Sequence, residues 1–404
     1  MATAYFRDKI GKVEVLPVEE GQPLADVLRR AGIPRNAVLS RINGNLVSEE
    51  TAVVGPADVL EFTQVRHYDM GVSRAPRRVV YPAPSPVYTK SVIFDERGRL
   101  EVRSEQLDAS AFPEYVDETF VKSVASAGTI AAGDQLLLGL SGGRDSVAFL
   151  KLLERTSDRL PPFSLTAVTI TGLPDWEEPA TFGAAIDACR RLDMRHHIVT
   201  ASDVEEVFKL RSSFVETMNR VVASDRSSMT MVIGHHVLRR LLEVTAARQG
   251  LSTIAWGFNA DDLLASLVTW WMSGFRMGAL PVRFIGNFRF VFPLYRITKK
   301  ELTIYLELVA PEWNRQGSPG RFTSGPDERS MSYAIADHLL DLWPGIDHYA
   351  FTAFENMQRQ LVVADEQLCR NCGATYLDQP GWAGPSDLCD VCDVFARMEL
   401  IDHV

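Results

Sequence analysis

One stretch, Ser141-Gly142-Gly143-Arg144-Asp145-Ser146, has the residue types and spacing to hold a phosphate chain. Glycines let the backbone approach an anion and turn consecutive amides toward it. Ser141 and Ser146 add hydroxyl donors, and Asp145 is placed to help hold Mg²⁺ on the same phosphates. The apolar run Leu136–Leu140 enters this turn and the apolar run Val147–Leu153 leaves it. A buried strand therefore feeds a helix N-terminus, whose partial positive charge favours anions. The lysine of GxxxxGK[ST] is missing, so γ-phosphoryl transfer is not implied. A second chemical cluster lies near the C-terminus, where Cys369-Arg-Asn-Cys372 and Cys389-Asp-Val-Cys392 stand 16 residues apart. Two such knuckles close a tetrahedral thiolate site, and the spacing fits a zinc ribbon. Four thiolates leave no open position, so a structural Zn²⁺ is expected there. Cys189, among apolar neighbours of Ala184–Leu192, reads as a small core residue.

A third segment repeats the strand-into-helix pattern. Thr253–Trp256 is apolar, and Gly257-Phe258-Asn259-Ala260-Asp261-Asp262 follows. Asp261 and Asp262 suit a helix N-terminus, and capping alone would explain them. The functional alternative assigns Asn259 and Asp261, with Asp145, to catalysis around the ATP α-phosphate, its metal or the acceptor. Leu140, Thr169 and Gly257 complete the candidate nucleotide-binding set with Ser141–Ser146. His235 and His236 are neighbours on a helix, about 100° apart around its axis, and so chelate poorly. One of them could line an acceptor pocket; plain surface or core positions are the alternative.

From Gln135 onward the elements that position these residues alternate. Strands are expected at Leu136–Leu140, Leu165–Ile170, His196–Thr200 and Thr253–Trp256, with helices at Thr181–Leu192, Met229–Arg248 and Asp261–Met272. That alternation implies an α/β fold with a parallel sheet covered on both faces. A helix at Pro113–Ala127, with Phe112, Tyr115, Val116, Phe120 and Val124 on one face, and a hairpin over Lys90–Arg103 precede it. Residues 1–68 read separately as ββαββ, with Asn43-Gly44 as a hairpin turn between Val38–Ile42 and Leu46-Val47. The resulting organisation is 1–68, a Pro/Arg linker at 69–89, the α/β unit at 90–362 and the cysteine ribbon at 363–404.

The net charge of −10 gives no general attraction to nucleic acid, and Arg66, Arg74, Arg77 and Arg78 read as a solvated linker. The most apolar stretch, Leu263–Leu280, is broken by Ser, Gly and Arg, so no membrane span is expected. Charges within the first 15 residues argue against a signal peptide, which makes a cytoplasmic location the expectation.

The Ser-Gly-Gly-x-Asp-Ser turn resembles that of the PP-loop ATP pyrophosphatases, whose fold is adenine nucleotide alpha hydrolase-like. The resemblance implies that the β,γ-pyrophosphate is bound and AMP transferred. Gly257–Asp262 is similar to the GHNxDD segment of the tRNA 2-thiolation enzymes within that class. Arg239-Arg240 matches their paired arginines, and Pro293-Leu294 with Ile297, Lys300, Glu301 and Leu302 matches a further segment. Residues 1–68 look like the ubiquitin-like β-grasp sulfur carriers of thiamin and molybdopterin synthesis. Their terminal Gly-Gly is replaced by Tyr68-Asp69-Met70-Gly71, so a docking or structural role is expected rather than an active carrier. The family's CxxC falls on Met231 and Gly234, its third cysteine near Gln316–Pro319, and an N-terminal zinc knuckle near Val87–Ile93 lacks its cysteines. Phe258 and Ala265 replace a histidine and a glutamate. These departures imply no iron–sulfur cluster. The resemblance implies an adenylating sulfurtransferase acting on tRNA or a small metabolite, supplied with sulfur by a separate carrier protein, and a homodimer. An amide- or amine-forming ligase is the alternative.

Overall fold

The computed structural model describes residues 3–7, 13–16, 18–65, 86–96, 99–172, 179–225, 229–273, 280–314, 328–342, 346–358, 366–377 and 387–401. The Arg66–Arg78 cluster, Tyr68–Gly71, most of the linker at 69–89 and Gln316–Pro319 lie outside them.

The N-terminal unit contains β1 (Thr3–Arg7), β2 (Val13–Leu16), α1 (Leu24–Arg30), β3 (Val38–Ile42), β4 (Asn45–Leu46) and β5 (Val59–Gln64). They form a five-stranded sheet in the order β2-β1-β5-β3-β4. Asn43 and Gly44 adopt φ of 51° and 82°, the left-handed pair that a tight hairpin requires. Leu24, Val27 and Leu28 of α1 are buried with Leu60 and Phe62 of β5. Alternate residues of β5 therefore close a small core under the helix.

A long hairpin, β6 (Pro86–Glu96) and β7 (Arg99–Asp108), leads into α2 (Phe112–Ala127), which ends at Gly128 with φ of 59°. Phe112, Val116, Phe120 and Val124 are buried along one face of α2, as their spacing demands.

The main sheet joins β8 (Gln135–Gly139), β9 (Ser164–Ile170), β10 (Arg195–Val199), β11 (Thr253–Ala255), β12 (Val282–Ile285) and β13 (Phe288–Val291) in the order β10-β9-β8-β11-β13-β12. It is parallel except for β12, which turns back antiparallel on β13 at one edge. Leu136 and Leu138 of β8 face one apolar cluster, which also holds Val147, Leu150, Leu302 and Tyr305. Leu137 faces the other, with Phe208, Val237 and Leu241. Both faces are thus buried, which is why β8 reads as a continuous apolar run.

The helices are α3 (Arg144–Arg155), α4 (Pro179–Arg191), α5 (Ala201–Phe208), α6 (Phe214–Val222), α7 (Thr230–Arg248), α8 (Ala260–Ser273), α9 (Lys299–Val309), α10 (Glu328–Leu342) and α11 (Ile346–Gln358). The ribbon adds β14 (Glu366–Leu368), β15 (Thr375–Leu377) and α12 (Asp390–Arg397). No helix among the described residues is long and apolar enough to cross a membrane.

Buried charge joins apolar contact at the seam between the N-terminal unit and the main sheet, where Leu39, Leu46 and Val65 lie in the same apolar cluster as Phe112 and Leu302. Arg41 Nη2 donates to both carboxylate oxygens of Glu307, at 2.8 and 2.9 Å. Lys300 Nζ donates to Glu49 Oε1 at 2.8 Å and to the Arg35 carbonyl at 2.9 Å. Desolvation offsets much of the attraction in such pairs, but breaking one leaves a buried charge without its partner. They fix the orientation of the unit.

Candidate nucleotide site and cysteine centre

Each strand of the parallel sheet delivers its loop at the same edge, where ligands of open α/β sheets sit. The first loop follows β8. Gly142 adopts φ of 74°, which turns the backbone back toward α3. Ser141 Oγ accepts from the Gly143 amide at 3.2 Å and lies 3.2 Å from Ser146 Oγ. Ser146 Oγ in turn donates to the Gly143 carbonyl at 3.0 Å. This small ring of hydroxyls and amides sits at the start of α3, where a phosphate would complete it. The second loop leaves β11 against the first. A Cβ on Gly257 would stand 3.6 Å from Ser146 Cα, ordinary van der Waals contact, so the two segments lie side by side here.

The candidate residues distribute as follows. Asp145 is half-buried, with Oδ2 accepting from Lys299 Nζ and a buried Oδ1 that has no hydrogen-bond partner. Burial raises its carboxyl above the ordinary aspartate value, the Lys299 cation opposes that shift, and Asp262 adds to it. Asn259 Oδ1 accepts from the Asp262 amide at 3.0 Å, and Asp262 Oδ2 accepts the Asn259 amide at 3.2 Å. These are reciprocal caps for the start of α8; capping is the expectation for Asp261 and Asp262, and Asp262 caps together with Asn259. The Asn259 Nδ2 atom is buried and without a partner, leaving a donor available at the site. Asp261 is fully buried and accepts the Lys299 amide at Oδ2. Thr169 Oγ1 donates to the Leu140 carbonyl at 2.6 Å and lies 2.8 Å from His196 Nε2, tying β9 to the loop. Arg144 points elsewhere: its Nη2 donates to the Val65 carbonyl of the N-terminal unit at 2.7 Å.

Lys299 has no role assigned from sequence, and its neighbour Lys300 enters only as part of the segment matched to the family. Lys299 is the first residue of α9, and a capping box of Thr298 with Glu301 fixes that helix start. Adjacent helical side chains diverge by about 100°, so Lys299 reaches Asp145 while Lys300 reaches Glu49. Sequence spacing could not show which of the two faces the loop.

A pH prediction follows from Asp145. Phosphate-metal binding needs its ionised form, so activity should rise with pH through a value above that of an ordinary aspartate. Lys299→Met removes the cation that holds this value down, leaving burial, Asp262 and Arg144 to set it. The acidic limb of kcat/KM for ATP should move to higher pH, because the opposite charge that favours the ionised form is gone. A superimposable pH profile would show that the two side chains are not coupled in the working enzyme.

The four cysteines come together as their spacing demands. Cys369, Cys372, Cys389 and Cys392 are all buried, and their sulfurs lie within 4.8 Å of one another. Cys369 N donates to the Ala374 carbonyl at 2.9 Å and Gly373 N to the Cys369 carbonyl at 2.8 Å, folding the first knuckle. The second opens α12, with Cys389 at its N-cap. The paired arginines of α7 hold this module: Arg239 Nη2 donates to the Thr375 carbonyl at 3.0 Å and Arg240 Nε to the Cys372 carbonyl at 2.7 Å.

Of the two histidines, His236 belongs to the cysteine centre. Its Nε2 lies 3.3 Å from Cys389 Sγ, and burial, with Arg239 beside it, pushes its value down to about 3. A neutral ring that accepts Arg239 at Nδ1, 3.4 Å away, carries its hydrogen on Nε2 toward the sulfur. His235 instead lies against Phe258, with ring centroids 5.9 Å apart, in a cluster with Trp256 and Phe292. Cys189 is buried, and desolvation pushes its thiol up to about 11, as a core residue requires.

No family model matches the chain. It is 33% identical over 287 residues to the tRNA 2-thiolation protein NcsA of Haloferax volcanii, covering 66% of this chain and 83% of that protein. It is 29% identical over 187 residues to the tRNA-cytidine(32) 2-sulfurtransferase of Neisseria meningitidis, covering 44% of this chain and 52% of that one. The chain thus spans about half the length of the second relative. Among solved structures, the U34-tRNA thiolase NcsA from Methanococcus maripaludis shares the fold, with a TM-score of 0.55 at 18% identity over 73% of this chain and 90% of the thiolase. That thiolase carries a [4Fe-4S] cluster. The expectation that excluded an iron–sulfur cluster is therefore corrected: four gathered cysteines provide the ligand number such a cluster takes. The expectation rested on Met231, Gly234 and Gln316–Pro319, and it took the C-terminal thiolates as a structural zinc site, with a redox dithiol or an iron centre as the alternative. By its match to the Haloferax protein, the chain belongs to the tRNA 2-thiolation branch of the PP-loop ATP pyrophosphatase family.

Proposed function

We propose that the chain is an ATP-dependent sulfurtransferase that activates a carbonyl oxygen of a tRNA base by adenylation. The carbonyl oxygen attacks the ATP α-phosphorus, the α–β phosphoanhydride bond breaks, and pyrophosphate leaves with its electron pair. A sulfur nucleophile supplied from outside the chain then forms the C–S bond, and AMP departs with the original oxygen. The observation that carries this reading is the convergence of two strand-end segments, Ser141–Ser146 and Gly257–Asp262, in contact at Gly257. The backbone amides of Gly142 and Gly143 and the hydroxyls of Ser141 and Ser146 would hold the β,γ-pyrophosphate. Asp145 Oδ1 would face the divalent cation that accompanies ATP. Asn259 Nδ2 and Asp261 stand on the acceptor side, where an amide donor would stabilise charge on a developing phosphorane.

The N-terminal unit is read as a β-grasp domain, supported by its strand order β2-β1-β5-β3-β4 with α1 across the sheet. Domain limits of 1–68, 90–362 and 363–404 are proposed on the same basis. The four cysteines would hold a metal centre; when bound, it would neutralise their thiolates and cross-link the ribbon.

The test incubates the protein with ATP, inorganic sulfide and bulk tRNA, resolves AMP from ADP, and separates thiolated tRNA on a mercury-containing gel. AMP, pyrophosphate and retarded tRNA are expected. AMP formed only with a metabolite fraction would replace tRNA with a small acceptor, and ADP would overturn the adenylation step.

A further inference from the structure

The N-terminal unit reaches the site at two separate points. Asn36 lies in the short turn Arg35–Ala37, just before β3. Its Nδ2 donates to Asp261 Oδ1 at 2.7 Å and to Asp337 Oδ1 at 3.1 Å. Both carboxylates are fully buried. Asp261 accepts the Lys299 amide at its other oxygen, and the Lys299 side chain meets Asp145 in the phosphate loop. A continuous chain of contacts therefore runs Asn36–Asp261–Lys299–Asp145. At the other point, the carbonyl of Val65, just beyond β5, accepts from Arg144 inside the loop.

We infer that Asn36 is a positioning residue of the active site, and that the N-terminal unit is a fixed wall of that site rather than a detachable carrier. The inference rests on the adenylation reading for the role of Asp261. A primary amide suits the task because it gives one hydrogen to each of two carboxylates while carrying no charge itself. Alanine there would remove the donor that the two buried carboxylates share, and Asp261 Oδ1 would lose a contact that orients it. Detachment of the unit is opposed by the buried pairs Arg41–Glu307 and Lys300–Glu49, each of which would have to separate. The sulfur must then come from a different molecule, one that reaches the site without displacing this unit.

Two measurements on the full chain test this. In the parent protein, MgATP should slow hydrogen exchange at the backbone amides of Asn36–Val38 as well as in the phosphate loop. In Asn36→Ala, kcat for AMP release with tRNA should fall about tenfold or more while KM for ATP stays within twofold. A purely structural role would lower stability and raise KM together, without that split. Unchanged exchange at Asn36–Val38 with unchanged turnover in Asn36→Ala would overturn the inference. If the variant does not fold, the exchange result on the parent decides alone. A parent chain that binds MgATP but releases no AMP with tRNA would instead sink the acceptor reading, and the exchange experiment would still decide whether Asn36 faces the nucleotide site.

Discussion

Asp145→Asn should release AMP about 10²- to 10³-fold more slowly than the parent chain with ATP and tRNA at saturation, the scale of losing one preorganised charge contact in a dry site. Its midpoint of urea unfolding should change little. Asparagine preserves the volume of the side chain and the start of α3, so any loss reports charge rather than packing. Asp145→Ala is the less clean variant, because it leaves the Lys299 cation, only 17% exposed, beside a cavity. Removing the charge also frees Lys299, whose ammonium can then pair with phosphate. The charge that would hold the metal on the phosphates is lost at the same time, so KM for ATP should rise far less than kcat falls, a split that simple damage to the loop would not give. Normal AMP release by a folded Asp145→Asn protein would remove Asp145 from the chemistry and leave the loop as a binding element only.

The phosphate loop was legible because its chemistry and its local structure use the same residues. Gly142 must turn the chain, Ser141 and Ser146 must present hydroxyls, and the flanking apolar runs must be a strand and a helix; all of this is local in sequence. The four cysteines were legible for a similar reason, since two short knuckles need only meet once. Their occupant was not, because thiolate number is common to a single ion and to a cluster. The contacts that join the parts were also hidden. Lys299 and Asp145 are 154 positions apart, and Asn36 and Asp261 are 225 apart. No periodicity encodes such pairs; they depend on where α9 and the N-terminal unit come to rest. Arg144 shows the same limit, for its place in the loop suggested phosphate while its guanidinium serves Val65. The paired arginines of α7 kept their positions, but their partners are carbonyls of the ribbon, an element that sequence alone placed in a separate unit.

Cys389→Ser should cost the protein most of its bound metal and a large part of its stability. The sulfur of Cys389 lies 3.9 Å from that of Cys372 and within hydrogen-bonding reach of His236 on α7. All four cysteines belong to the same apolar cluster as Phe208, Val237, Leu241, Phe395 and Ile401. The ribbon is therefore continuous with one face of the main sheet, and the Arg211 amide, beside α5, donates to the Leu400 carbonyl at 2.9 Å. A hydroxyl in place of the thiolate removes one ligand and leaves three sulfurs to share a centre built for four. Binding energy at such centres is folding energy, and losing a few kcal/mol in a domain of this size lowers Tm by on the order of 10 °C. Anaerobic purification followed by zinc, iron and acid-labile sulfide analysis reads the occupant in the parent chain and its loss in the variant. Iron with matching sulfide identifies a cluster, and one zinc per chain identifies a mononuclear centre. Cys189→Ser is the control, since that thiol is buried away from the four and should leave metal content unchanged. Full metal content and an unshifted melting curve in Cys389→Ser would mean that the four sulfurs are packed as core side chains and hold nothing together.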